Sequence, residues 1–545
     1  TPAQVPPPRA SVVASPLPPS APLLVRDEAP MAPPYGDAVA ARFPNPSVVY
    51  STPGLGADRR AFTTNAEVGQ WLRSLSDSAP RSGTRTQLLQ IGTSQRGEPI
   101  QGLLVTRAAG TDPASLDKSG RHTVVLIGQQ HGDEPAGSEA LLVISRELAQ
   151  GLLEPLLDRI NVVVVPRANP DGAEVGTRVT ANGVDMNRDH LLLNTPEARA
   201  LAQVINDYRP ILVVDAHEYT VVGRYLQKFN AIQRYDALLQ YTTTANYPEF
   251  LTKASQEWFH QPMVAALKAQ GLTSDWYYTT STNLQDKRIS MGGTQLDTGR
   301  NVHGLKNTVS LLIETRGVGI GRMHIQRRVH AQVTAITSAL RTTAERAANL
   351  EQVRSFVARD VSAMACRDQV VIEAEATPTQ RDLDFLDPET GADRSIRVDW
   401  NSSLTLRNTK VRARPCGYWL SADASAAVER LRQLGIQVMR VAEPGSVLAE
   451  SYRETAREAG NRQDVIGTIA GGGDIVRVQV STQRSAIDAP AGSFYVPLNQ
   501  PRANLAVAAL EPDTQNSYFA NHLIQELGQS ARVMAVPSLV FEETD

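Results

Sequence analysis

The sequence predicts an α/β fold, built from short apolar runs that each end in a polar turn or a charged residue. Three stretches carry this reading. Val124-Val125-Leu126-Ile127 stops at Gly128 and opens into a turn bearing His131 and Glu134, with Pro135 where a helix can start. Residues 211–214 run straight into Asp215-Ala216-His217-Glu218, and residues 309–313 into Glu314-Thr315-Arg316. Three strands thus deliver a His or a Glu at the same end. In open α/β sheets ligands gather at the carboxyl ends of the strands.

The 545 residues predict two to four domains, and 41% hydrophobic with 20% charged residues is ordinary for a globular chain. A net charge of −3 gives no basic excess for nucleic acid or an anionic membrane. No apolar stretch approaches a membrane span. The chain starts at Thr1 rather than Met, so an N-terminal segment is expected to have been removed. Residues 1–50 hold 13 of the 34 prolines, which favours an extended arm that buries little. The expected division is a Pro-rich arm (1–59), a catalytic domain (60–355) and a C-terminal mixed α/β accessory domain (356–545).

Thr64-Asn65-Ala66-Glu67 fits a capping box, and Val68, Trp71, Leu72 and Leu75 follow at helical spacing. Residues 87–91 and 102–106 read as two strands joined by a turn at 92–97. The strand before His131 is followed by a helix over 140–148. Residues 160–165 form the next strand, which gives way to a turn, Asn169-Pro170-Asp171-Gly172. Residues 176–189 are dense in Arg and Asn and suit a carboxylate, or else form a solvated loop with a local Arg–Asp pair. A helix capped by Thr195 ends before Pro210. A long helix with Ile325, Val329, Val333, Ile336 and Leu340 on one face closes the catalytic part.

His131 and Glu134, three apart on a tight turn, have zinc-ligand chemistry, and His217 at the end of a second strand strengthens it. In order, His131-Gly-Asp-Glu134, Asn169-Pro-Asp-Gly172, Gly183-Val-Asp-Met-Asn187-Arg188, Asp215-Ala-His217 and Ile313-Glu314-Thr-Arg316 resemble the zinc carboxypeptidases of the A/B type. The resemblance covers about residues 60–350. It implies an α/β/α sandwich around a mixed, mostly parallel eight-stranded sheet. It also implies one Zn²⁺ per chain on His131, Glu134 and His217, with Asp185 holding His131 in its tautomer. Glu314 matches the general base, Arg178 the residue polarising the scissile carbonyl, and Asn187 and Arg188 the grip on the terminal carboxylate. The family's mobile tyrosine has no motif-anchored counterpart, and Tyr277 and Tyr278 stand near by position only. A His-Glu-x-x-His helix is excluded, because position 222 is Val.

The implied function is a zinc metallocarboxypeptidase acting on peptides. A zinc amidase of the same fold, acting on peptidoglycan peptides or N-acyl amino acids, would use the same residues. An inactive peptide binder would have no need of Glu314. In the family, residues shortly before the catalytic Glu help build the pocket for the departing side chain, here Leu296 to Asn301. Arg300 facing that pocket favours an acidic terminal residue, Asp297 a basic one, and an Asp297–Arg300 pair leaves it neutral. His190, His260, His303, His324, His330 and His522 read as surface or packing residues. In the C-terminal part, alternation at 396–400 and 476–480 marks strands, 421–434 a helix ending at Gly435, and 436–439 a strand. Gly471-Gly472-Gly473 is a turn. Cys366 and Cys416 would pair in an oxidising compartment, and periplasmic or secreted location is the expectation.

Overall fold

The computed structural model describes residues 32–78 and 83–543, and the proline-rich stretch up to residue 31 lies outside them. The first ten strands are β1 (Arg85–Thr93), β2 (Pro99–Thr106), β3 (His122–Gly128), β4 (Ile160–Val165), β5 (Leu212–Thr220), β6 (Ala237–Tyr241), β7 (Ser274–Trp276), β8 (Tyr278–Thr280), β9 (Ile289–Met291) and β10 (Val309–Val318). Eight of them make one sheet in the order β1-β2-β4-β3-β5-β10-β6-β7. Its centre, β4-β3-β5-β10, is parallel, β1, β2 and β4 pair antiparallel at one side, and β6 lies antiparallel to β10.

Strand periodicity sorts the side chains into two cores. Val124, Leu126, Val162, Val164, Leu212 and Val214 pack under the helices Asn65–Asp77, Ala136–Gln150 and Ile325–Glu345. Their neighbours Val125, Ile127, Val163, Val165 and Val213 meet the helix Pro196–Tyr208 on the opposite face. This is the expected α/β/α sandwich. The capping box is present, with the Thr64 side chain accepting from Glu67 N and Glu67 from Thr64 N. Two strands are longer than their apolar runs. β5 continues through His217 and β10 through Glu314, so both residues stand within strands rather than just beyond them.

The chain after residue 355 builds two further sheets. β11 (Gln369–Leu386) and β12 (Asp393–Ala413) join β9 and β8 in a four-stranded sheet ordered β11-β12-β9-β8. β13 (Gly417–Leu420), β14 (Met439–Arg440), β15 (Gly445–Asn461), β16 (Asp474–Ala489), β17 (Phe494–Pro497) and β18 (Ser530–Val533) form a six-stranded one, ordered β14-β17-β13-β18-β15-β16. The expected strand at 436–439 shrinks to β14, because Ile436 and Val438 turn into the core behind Gly435, whose φ is +79°. That core also takes in Leu191, Leu192, Leu193 and Val302, so apolar contacts run across residue 355. Cys366 and Cys416 are disulfide-bonded. Tyr35, Val39 and Phe43 pack against Val221, Ile232, Ile320 and Leu386. Among the described residues no helix is long and apolar enough to cross a membrane.

Candidate metal centre and cleft

The turn after β3 is fixed by close backbone approach. A Cβ at Gly132 would collide with the backbone of Gly172 and Thr177. Asn169 N–H donates to Gln129 O at 3.1 Å, and Asn169 Nδ2 to Gln130 O at 3.1 Å. His131 and Glu134 are thereby held at the end of the sheet, facing His217 on β5.

The three side chains converge. His131 Nδ1 lies 2.7 Å from Glu134 Oε2, and His217 Nδ1 lies 3.1 Å from Glu134 Oε1. One ligand atom from each of the three residues lies within 4.8 Å of the other two, and all three residues are buried. Each ring has its other nitrogen on a second carboxylate: His131 Nε2 is 2.8 Å from Asp185 Oδ1, and His217 Nε2 is 2.9 Å from Asp215 Oδ1. Such carboxylates keep the proton on Nε2 and leave Nδ1 a free lone pair, the arrangement a divalent ion requires. Burial pushes the Glu134 carboxyl up, but His131 and His217 outweigh it and hold it below the usual range. Asp185 is also held low, with Arg178 and His131 overcoming burial. Two imidazoles and one carboxylate form a zinc donor set with room for a fourth ligand.

Around this trio, Glu314 is paired in register with His217 across β10 and β5, so both side chains leave the sheet on the same face. Burial raises its carboxyl to about 8, with the nearby Glu134 charge adding to the shift and His217 and His131 opposing it. Glu218 points the other way and grips Arg328 through two contacts of 2.8 and 2.9 Å, bracing the sheet against the helix Ile325–Glu345. Arg178 Nε donates to Asp185 Oδ2 at 3.0 Å, and its Nη1 stands 3.8 Å from Glu134 Oε2. Asn187 Oδ1 accepts from Gly299 N at 2.9 Å, and Arg188 Nε donates to Asp464 Oδ2 at 2.9 Å.

His131, Glu134, Arg178, Asn187, Arg188 and Glu314 line one cleft of about 680 Å³, together with Tyr277, Tyr278 and Arg300. Tyr278, the other candidate tyrosine, points its hydroxyl to Gln233 and its ring into a cluster with Tyr225 and Trp400. Arg300 is 3% exposed and makes no ion pair with Asp297 or any other carboxylate among the described residues. Its Nη1 donates to Tyr241 O at 2.9 Å and Thr243 Oγ1 at 2.6 Å, and its Nη2 to Gly293 O at 3.0 Å. Burial pulls this guanidinium down to about 10. Asp297 is buried too; burial raises it to about 6, with Arg188 and Arg462 opposing.

Sequence reasoning passed over three groups. Asp215 was readable, because an acid two residues before a strand His shares its face. Gln130 donates to Asp215 Oδ2 at 2.7 Å and accepts the neighbouring His190 Nε2 at 2.7 Å, which makes His190 a buried packing residue beside the site. Glu373, Glu375, Asp464 and Arg477 line the cleft from beyond residue 355, and no local signal marks them.

Residues 68–328 match the family model described as zinc carboxypeptidase, peptidase M14. Carboxypeptidase 2 of Trichophyton equinum is 28% identical over 413 residues, covering 74% of this chain and 75% of its own length. Carboxypeptidase D of Mus musculus is 31% identical over 200 residues, 29% of this chain and 14% of that protein. Among solved structures, carboxypeptidase A from Helicoverpa armigera is 15% identical, with a TM-score of 0.38 over 56% of this chain and 78% of its own.

Proposed function

We propose that the chain, a hydrolase whose residues 68–328 match the zinc carboxypeptidase family model, removes the C-terminal residue of peptides with His131, Glu134 and His217 as the ligands of one Zn²⁺. The observation that carries the reading is that both Nδ1 atoms turn to Glu134 while His131 Nε2 is hydrogen-bonded to Asp185 and His217 Nε2 lies 2.9 Å from Asp215 Oδ1. A bound zinc ion would supply an activated water near neutral pH and polarise the scissile carbonyl. Glu314, on the same face as His217, would take a proton from an attacking water and return it to the departing amine. Arg178 donates to the carbonyl oxygen as negative charge gathers there. Asn187 and Arg188 hold the terminal carboxylate.

Arg300 is proposed to set the preference. A buried guanidinium without a counter-ion is costly, and a substrate carboxylate entering the cleft relieves that cost. Peptides ending in Glu or Asp are therefore the favoured class. The disulfide supports an oxidising compartment outside the cytosol. Residues 60–355 are taken as the catalytic unit and 356–545 as the accessory one. A digest of a library of peptides and N-acyl amino acids, read by mass spectrometry, tests the whole reading. Loss of single terminal residues from peptides is expected. Cleavage of acyl amino acids alone would replace the peptidase with an amidase.

A further inference from the structure

Residues 462–473, at the tip of the β15–β16 hairpin, leave their own sheet and reach the metal centre. Asp185 N–H donates to Ala470 O at 3.1 Å, and Thr282 N–H to Ile466 O at 3.0 Å. Arg462 Nη1 donates to Arg188 O at 2.7 Å. Gly471, with φ +68°, packs so closely that a Cβ there would stand 2.7 Å from Val184 Cα. The loop is therefore tied to the same few residues that carry Asp185, Asn187 and Arg188.

Within it, Asp464 is doubly engaged. Its Oδ1 accepts from Ile466 N at 2.9 Å and Gly467 N at 3.0 Å, which fixes the carboxylate relative to the loop. Its Oδ2 accepts from Arg188 Nε at 2.9 Å. Arg188 Nη1 gives one hydrogen to Asn187 O at 2.9 Å, and Nη2 has no hydrogen-bond partner among the described residues. Both side chains are largely buried, at 11% and 15% exposure.

An acid beside Arg188 could act in two opposed ways. It could compete with a substrate carboxylate for the guanidinium, or it could fix the guanidinium in the orientation the substrate needs. The atoms decide between them. Asp464 sits on Nε and leaves the outer Nη edge open, and two backbone N–H groups keep it from swinging across. A long side chain that is ordered before substrate arrives also loses less entropy on binding.

We propose that Asp464 is a positioning residue for substrate binding: it holds Arg188 by Nε so that the Nη edge meets the terminal carboxylate. The proposal rests on the reading of Arg188 given above. It makes the β15–β16 hairpin part of the binding machinery.

The test uses the full chain and a set of N-acylated dipeptides with free terminal carboxylates. Asp464→Asn keeps an oxygen for the loop turn and removes the charge from Arg188. It should raise KM about 10-fold or more, the worth of one charged hydrogen bond, with kcat changed less than about 3-fold. Zinc content should stay at one per chain. Arg188→Gln should raise KM further, and adding Asp464→Asn to it should cost nothing more. An unchanged KM in Asp464→Asn beside a raised KM in Arg188→Gln would overturn the proposal and leave the reading of Arg188 standing. A lowered KM in Asp464→Asn would overturn it in favour of competition. An unchanged KM in Arg188→Gln would remove both.

Discussion

Replacing Arg300 by Met should erase the preference for an acidic terminal residue. The guanidinium is buried, lacks a carboxylate partner, and has hydrogens left over after its bonds to Tyr241, Thr243, Gly293 and Asn301. A substrate carboxylate meeting it would form charge-assisted hydrogen bonds worth about 1.5–3 kcal/mol each. Stripping water from that carboxylate offsets part of two such bonds, leaving about 2–3 kcal/mol, or roughly 30- to 150-fold in kcat/KM. The cleanest readout is the ratio between peptides ending in Glu and in Gln, which match in shape and differ in charge. That ratio should fall to near one in Arg300→Met. Arg300→Lys keeps the charge without the planar fork and should fall between. Zinc content and melting temperature accompany the assay, because Arg300 also supports the backbone at Tyr241 and Gly293. A Glu/Gln ratio that is the same in wild type and Arg300→Met would refute the reasoning. A wild-type preference for terminal Lys would shift the role to Asp297.

Glu314→Gln should keep zinc by elemental analysis while turnover falls about 10²–10⁴-fold. His217→Ala should purify with little or no zinc, and a chelator should abolish wild-type activity. Cys366→Ser/Cys416→Ser opens a loop of 50 residues and should lower the unfolding free energy by up to about 4 kcal/mol in denaturant titration. Burial raises the Glu197 carboxyl to about 7, above its ordinary 4.5, with its bond to Gln95 N opposing. The fold therefore favours the protonated form, and the penalty is absent below pH 4.5 and complete above about pH 7. Glu197→Gln should then gain about 3 kcal/mol over wild type at pH 8 and nothing at pH 4.5.

The zinc trio was legible because its residues sit beside strand-like apolar runs, where local sequence reports position. Strand ends were less so. β5 and β10 run on through Asp215, His217 and Glu314 because they pair with each other that far, with β6 flanking β10, and hydropathy is blind to that pairing. The Asp297–Arg300 alternative failed for a related reason. Arg300 bonds to the carbonyl of Tyr241, 59 positions earlier, and to the hydroxyl of Thr243, 57 earlier, and spacing within one turn says nothing about them. Tyr277 and Tyr278 could not be told apart in sequence: both border the cleft, and what separates them is the full burial of Tyr278 and the bond of its hydroxyl to Gln233. Asp464 lies farthest out of reach, since its significance is created by the docking of a hairpin tip.

Arg188 and Asp464 are 276 positions apart. A ribosome adding about 5–20 residues per second needs on the order of 15 to 55 s to travel between them. During that interval His217 and Glu314 emerge, while Arg188 has the carbonyl of Asn187 but not yet the carboxylate of Asp464 to steady it. On the role proposed for Asp464, the tightest hold on a peptide's end comes only with the last part of translation, once the hairpin tip has docked.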